Sequence, residues 1–278
     1  MILELLEYIM SSCSKTGRSM GFLSSSLQVR ARFRRCRKVW APHIEQTRRV
    51  ILEAAERCRS RRKVVALGAG LLHDIPLEEL SGLFDEVVLV DIVHPWLSRL
   101  AARSFRNVKQ VSADITGVAE KLRRVAHAPD AALPVSHPEL FVDDPRLDLA
   151  LSVNLLSQLS HVPGKYLDRR RDEATISVFL KHLVEAHLEY LRRLPGRTAL
   201  ITDTTVRRMV RGDPVVEEWD QLHGVKLPPA EFSWEWHLAP SPELGRGTDV
   251  YTTVAAYADW KQAAARAGPR NDRIIDNV

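Results

Sequence analysis

From residue 63 onward the chain alternates short β-branched runs with helical ones, and this rhythm restricts the fold more than any other feature. KVVALG (63–68), EVVLVD (86–91), VKQVSAD (108–114), LDLALSV (147–153) and RTALITD (197–203) read as strands. Between them, IPLEELSGLF (75–84), PWLSRLAARSF (95–105), a short stretch near 117–126 and EATISVFLKHLVEAHLEYLRRL (173–194) read as helices. Asp74 stands where it would cap the first helix, with Pro76 in the opening turn, and Pro195-Gly196 closes the last. Such alternation means βαβ units and a parallel sheet. Strands apolar on nearly every residue belong to a sheet covered on both faces. After the fifth strand, FSWEWHLA (232–239) and DVYTTVAAYA (249–258) are joined by a Pro/Gly-rich loop with no helix between them, so they pair antiparallel. The expected fold is α/β: a doubly wound, mostly parallel seven-stranded sheet with a C-terminal antiparallel hairpin and helices on both faces.

The stretch 43–58, HIEQTRRVILEAAERC, is an amphipathic helix with Pro42 in its first turn. It opens the α/β domain, expected over 44–258. Before it lies a basic helical extension (1–43), a possible lid, and after it a tail (259–278) whose last residues, 266–278, are frayed. The segment 127–146, rich in Pro, His and Asp, is a loop.

Charge is uneven. Residues 28–63 hold thirteen Lys/Arg against Glu45, Glu53 and Glu56, a local +10, whereas the whole chain carries +5. Six of the thirteen lie in RARFRRCRK (30–38). Such an arm suits nucleic acid, anionic lipid or an acidic partner, or a solvated helical face whose arginine stems cover an apolar stripe. No aromatic residues alternate with the arginines as a single-strand stacking platform needs. Three cysteines (Cys13, Cys36, Cys58) without CxxC spacing exclude a disulfide framework and a zinc ribbon, and no histidine pair forms a known ligand motif, so no metal site is expected. The start, MILELLEYIM, carries Glu4 and Glu7 and no basic n-region, and no window of about 18 uncharged apolar residues exists. A soluble, cytoplasmic protein without membrane contact is expected.

Four successive strand ends carry polar or flexible residues. The first βα turn reads Gly68-Ala69-Gly70-Leu71-Leu72-His73. Glycines there let backbone pass close to a ligand, and a following helix N-terminus offers free N–H groups. Strand two ends in Asp91, suited to accept both hydroxyls of a ribose, and strand three in Asp114. Strand four runs into Asn154. Ligands of open α/β sheets bind outside these carboxyl ends, and the set in order points to a nucleoside pocket.

The constellation resembles the class I S-adenosylmethionine-dependent methyltransferases over roughly 44–258. VVALGAG (64–70) looks like their first motif, VVLVD (87–91) the second, SADI (112–115) the adenine-contacting one and DLALSVNLLSQL (148–159) the fourth. The closing hairpin is similar to the family's antiparallel seventh strand. The resemblance implies a Rossmann-like methyltransferase domain with S-adenosylmethionine as cofactor and S-adenosylhomocysteine as product. Gly68 and Gly70 would cradle the methionine moiety, Asp91 the ribose, and Asp114 with Ile115 the adenine, with Ala69, Leu71 and Ile92 also binding the cofactor. Asn154 and Leu155 would lie beside the transferring methyl. Two positions depart from the family: Ala66 replaces an acidic residue two before the first glycine, and Leu72 replaces the third glycine.

Without an Asn/Asp-Pro-Pro-Tyr/Phe sequence, amino-methylation of a flipped adenine by that device is excluded. Without a Pro-Cys after strand four, covalent C5 methylation of cytosine has no nucleophile. Transfer to O or N of a small molecule remains, with His73, Asn154 and Asp203 as candidate catalytic groups and His237 as a further base. Trp234 and Trp236 share a strand face and either wall the acceptor or pack the core; an N-terminal lid would bring His43 or Gln46 to it. Other readings stay open: a methyltransferase fold that binds without turnover, an RNA methyltransferase tethered by the 30–38 arginines, and a nicotinamide enzyme, which His73 at the sixth position of GxGxxG disfavours.

Overall fold

The structure, a computed structural model, describes residues 10–128, 130–213 and 216–268. The charged start of the chain up to residue 9 and the tail from 269 lie outside the described residues. No helix among the described residues is long and apolar enough to cross a membrane.

The strands are β2 (Lys63–Leu67), β3 (Glu86–Asp91), β5 (Val108–Ser112), β6 (Leu147–Val153), β7 (Arg197–Val210), β9 (Phe232–Ala239) and β10 (Thr248–Tyr257). They form one sheet in the order β5-β3-β2-β6-β7-β10-β9. The first five pair in parallel, whereas β10 runs antiparallel between β7 and β9. A doubly wound, mostly parallel sheet with an antiparallel C-terminal hairpin is thus present. Its strand count is eight rather than seven, because β8 (Val216–Asp220) adds to the overhanging half of β7. Exposed along its length and reading VEEWD, β8 carries no apolar run that would mark it in the sequence. β7 itself continues to Val210, seven residues past the expected end, because β8 and β10 pair with that half.

Side chains alternate across the sheet, and both faces are covered. Val64, Ala66, Val87, Leu89, Leu149 and Leu151 join one buried cluster, which receives Trp40, Val50, Ile51, Ala54 and Ala55 of helix α2 (Phe22–Glu56). Val65, Leu67, Val88, Val90 and Ala150 join another, which receives Val184, Leu188 and Leu191 of helix α7 (Glu173–Arg193). Trp260, 1% exposed, also belongs to this second cluster; it opens helix α8 (Trp260–Ala267), in the segment expected to be a tail.

The N-terminal region differs most from expectation. Helix α2 does not begin at Pro42; it runs unbroken from Phe22 to Glu56, with Pro42 inside it. Trp40, His43 and Thr47 on one face are buried, and this anchoring offsets the backbone hydrogen bond that a proline forfeits. Upstream, helix α1 (Lys15–Met20) is capped by Ser14, whose hydroxyl accepts from the Gly17 amide at 3.0 Å. Gly21, with φ +94°, turns the chain from α1 into α2. A two-residue ladder pairs β1 (Ser12–Cys13) with β4 (Val93–His94), fastening this region beside the end of β3.

Part of the basic stretch is engaged within the protein. Arg35 makes a paired contact with Glu243 at 2.6 and 2.8 Å, and the Arg48 guanidinium donates to the His73 carbonyl at 3.1 Å. These contacts pin α2 to the β9–β10 loop and to the turn after β2.

Candidate functional site

The chain passes from β2 outward to β3 and β5, then returns to the other side of β2 as β6. The carboxyl ends of β2 and β6 therefore diverge in their connections, and a crevice opens there. At the end of β2 the Gly68 and Ala69 amides donate to the Val90 carbonyl at 2.8 and 3.2 Å. Gly68 takes φ +74°, and a Cβ there would lie 3.0 Å from a Leu155 methyl. Gly70 packs still more closely: a Cβ would sit 2.5 Å from the Val93 carbonyl and 2.8 Å from Asp91 Oδ2. Leu72 keeps a left-handed φ of +60° although the side chain is not glycine. Helix α3 (Leu77–Leu83) starts well beyond this turn, so residues 69–76 form a loop and no helix N-terminus meets the glycines. Asp74 is not its cap; Pro76 occupies that position.

A cavity of about 200 Å³ lies over these strand ends. Its walls include Gly68 and Leu71 after β2, Asp91 and Ile92 after β3, Asp114 and Ile115 after β5, and Asn154 and Leu155 after β6, with His73 beside them. Of the residues singled out by sequence, Ala69, Gly70 and Asp203 do not line it. Ala69 is buried beneath the turn, and the Gly70 amide points to Asp91 at 2.9 Å. The Asp203 carboxylate accepts instead from the Ser157 hydroxyl. His237 is held by Asp249 at 2.8 Å and stacks on Tyr251, away from the cavity. Helix α2 supplies a further wall, through Phe22, Val29, Trp40 and His43, and residues 158–159 and 161–163 supply another; Gln46 does not reach the cavity.

The two strand-end aspartates differ in what already occupies them. Asp91 receives the Gly70 amide on Oδ2 and the Val93 amide on Oδ1 at 3.0 Å. Burial raises its pKa, and these backbone donors oppose the rise. Asp114 receives the Thr116 amide and hydroxyl on Oδ1 (2.9 and 2.6 Å) and the Ala119 amide on Oδ2 (2.7 Å). It thereby ties the loop after β5 to the first turn of helix α5 (Ala119–Val125).

Asn154, in the left-handed region with φ +49°, stands at the centre of a polar chain. Its Nδ2 donates to Asp74 Oδ2 at 2.7 Å and lies 3.1 Å from His43 Nε2, while its Oδ1 is buried without a protein partner. His43 Nδ1 accepts from the Trp234 indole N–H at 3.1 Å, and the ring stacks on Trp236 at 3.8 Å. Burial lowers the His43 pKa to about 3, so the ring is neutral. His73 stacks on Phe33 of α2 at 3.7 Å. Burial, aided by Arg30 and Arg48, lowers its pKa to about 4, and its buried Nε2 has no partner.

Trp236 combines both roles offered for it: it lines the cavity and packs edge-on against Trp40, with ring centroids 4.9 Å apart. Trp234 reaches the site only through His43. Sequence reasoning missed Asp74 and the upper half of α2. Asp74 has the residue type and position of a helix cap, and only its bond to Asn154, 80 residues away in the chain, marks it otherwise.

No protein-family model matches this chain, and no curated protein does. Among solved structures it is similar to a DhpI-SAM-HEP complex, at 14% identity over 87% of this chain and 99% of that one, with a TM-score of 0.37. The N-methyltransferase NodS from Bradyrhizobium japonicum is similar at 11% identity over 79% and 96%, with a TM-score of 0.38. A Burkholderia thailandensis 1,6-didemethyltoxoflavin-N1-methyltransferase, with bound 1,6-didemethyltoxoflavin and S-adenosylhomocysteine, matches at 15% identity over 89% and 92%, with a TM-score of 0.36.

Proposed function

We propose that this chain is an S-adenosylmethionine-dependent methyltransferase that acts on an oxygen or nitrogen of a small-molecule acceptor. The observation that carries the reading is the meeting of Gly68, Asp91, Asp114 and Asn154, from four successive strand ends, around one cavity. The residues fit such a cofactor. The turn at Gly68 and Gly70 leaves no room for a Cβ, Asp91 is held by two amides with further acceptor capacity, and Asn154 Oδ1 lacks a partner.

When bound, the cofactor supplies an electrophilic sulfonium methyl. Asp91 would accept from the ribose hydroxyls, its orientation already fixed by the Gly70 and Val93 amides. Ile92 and Ile115 would flank the adenine, with Asp114 at its edge. Asn154 would face the methyl-bearing end, where its left-handed backbone lifts it off the end of β6. Methyl transfer is a displacement, so placing the nucleophile in line supplies much of the rate. His73, neutral at physiological pH and free at Nε2, would accept a hydrogen bond from an acceptor hydroxyl. Asp203 would act indirectly, holding Ser157 in the loop that follows β6. Helix α2 closes one side of the cavity and would exclude water from the reacting groups. A small acceptor accords with this enclosure better than a nucleic acid does, since Arg35 and Arg48 are already engaged within the protein.

Calorimetric titration with S-adenosylmethionine and S-adenosylhomocysteine tests the reading. Roughly micromolar affinity is expected for the wild type, with at least about a tenfold loss in Asp91→Ala. Well-folded wild-type protein that binds neither compound would sink it.

A further inference from the structure

Three carboxylates line the cavity: Asp74, Asp91 and Asp114. Both oxygens of Asp91 and both of Asp114 already receive donors from neighbouring backbone. Asp74 is placed differently. Its Oδ2 receives one side-chain donor from elsewhere in the fold, Asn154 Nδ2 at 2.7 Å, and among the described residues no Lys, Arg or His forms an ion pair with it. Arg48 acts on it through space, yet its guanidinium donates to the His73 carbonyl. A half-buried carboxylate that lines a cavity with neither a paired cation nor a full set of donors is poised to take one or the other.

Its position specifies which cation. Asp74 lies on the loop that continues the Gly68–Gly70 turn, and it is bonded to the first residue after β6. It therefore sits at the crevice between β2 and β6. Ala66, on β2 two residues before Gly68, is buried and offers no carboxylate of its own. We propose that Asp74 is the receptor for a ligand ammonium and, resting on the methyltransferase reading above, that it holds the α-amino group of the cofactor's methionine moiety. Asn154 is then the positioning residue that keeps the carboxylate turned toward the crevice.

The same chemistry would serve an amine on the acceptor, and a pair of ligands separates the two sources. Wild-type protein and Asp74→Asn are titrated with S-adenosylhomocysteine and with its desamino analogue, which lacks only the amino group. If Asp74 binds the ammonium, wild type favours S-adenosylhomocysteine by about 10- to 100-fold. Asp74→Asn then binds the two ligands alike, so the preference disappears with the carboxylate. Equal binding of both ligands by the wild type overturns the assignment without reference to any variant, and would hand Asp74 to an acceptor amine or to no ligand. A preference that survives in Asp74→Asn overturns it as well. Wild type that binds neither ligand removes the cofactor reading itself, whereas equal binding of both leaves that reading standing and only the role of Asp74 lost.

Discussion

Burial shifts the pKa of several side chains in this molecule, and pH can expose the consequence. His187 on α7 is 1% exposed, bonded to the Ser152 hydroxyl at 2.9 Å, and its pKa is lowered to about 3 by burial alone. In the unfolded chain this ring protonates near its ordinary value of about 6.5. Between about 6.5 and 3 the unfolded state therefore binds the extra proton, and stability falls as pH falls. The contribution approaches about 1.4 kcal/mol per pH unit for a single histidine. Urea unfolding of wild type and His187→Gln at pH 7 and pH 5 checks this, and the variant should lose less stability on acidification. Asp74, Asp91 and Asp203 act in the opposite sense. Burial raises each above its ordinary value, so the folded state holds the proton longer and each carboxylate weakens the fold once ionised. The comparison of variant with wild type removes their shared background. A slope identical in both proteins would mean that His187 is not kept neutral.

Among the elements, α2 carries the most unusual sequence choice. Pro42 is exposed on the solvent side of a helix whose other side buries Trp40 and His43. A proline in a helix interior costs up to about 3 kcal/mol relative to alanine. Pro42→Ala should accordingly raise the unfolding free energy, by roughly 1–3 kcal/mol, as read from thermal or urea unfolding. A decrease would mean that the local geometry at Pro42 is needed to seat Trp40 and His43 against the cavity. This proline also explains what was and was not legible in the sequence. The strands of the parallel sheet were legible because burial on both faces leaves runs such as VVAL and VVLV with no polar period. Helix α2 was read as starting at Pro42 because proline favours a first turn, and the signal upstream is arginine-rich and weakly periodic. Strand β8 was invisible because an exposed edge strand has no core to imprint on its residues. Gly68, Asp91, Asp114 and Asn154, named from strand ends, all line the cavity. His43 was offered there together with Gln46 through a lid, and only His43 lines the cavity; Asp74 was read as a helix cap, since its bond to Asn154 joins distant parts of the chain.

For the molecule as a whole, the charge imbalance and the cavity make separable predictions. On the proposed reading, binding of S-adenosylhomocysteine would depend on groups inside the crevice, where mobile ions screen poorly. Its affinity should change by less than about threefold between 50 and 500 mM salt. Capture of a nucleic acid by the basic 28–63 stretch would instead fall by orders of magnitude over the same range. Titrations at both salt concentrations, with S-adenosylhomocysteine and with a short single-stranded RNA, read the two behaviours separately. A steep salt dependence for the small ligand would place its main contacts on the solvated arginine face rather than in the cavity.

The position of β10 has a consequence for how the protein is made. The last strand of the sheet to leave the ribosome is not at its rim but second from one edge, paired along its length with β7 on one side and with β9 on the other. Until synthesis has passed Tyr257, β7 has only the short β8 beside its far half and β9 has no strand to join. The parallel half of the sheet can assemble early, but the flank carrying Trp234 and Trp236, which buttress His43, must wait for the final insertion. A nascent chain halted before that point would hold the glycine turn and Asp91 without the wall that completes the crevice.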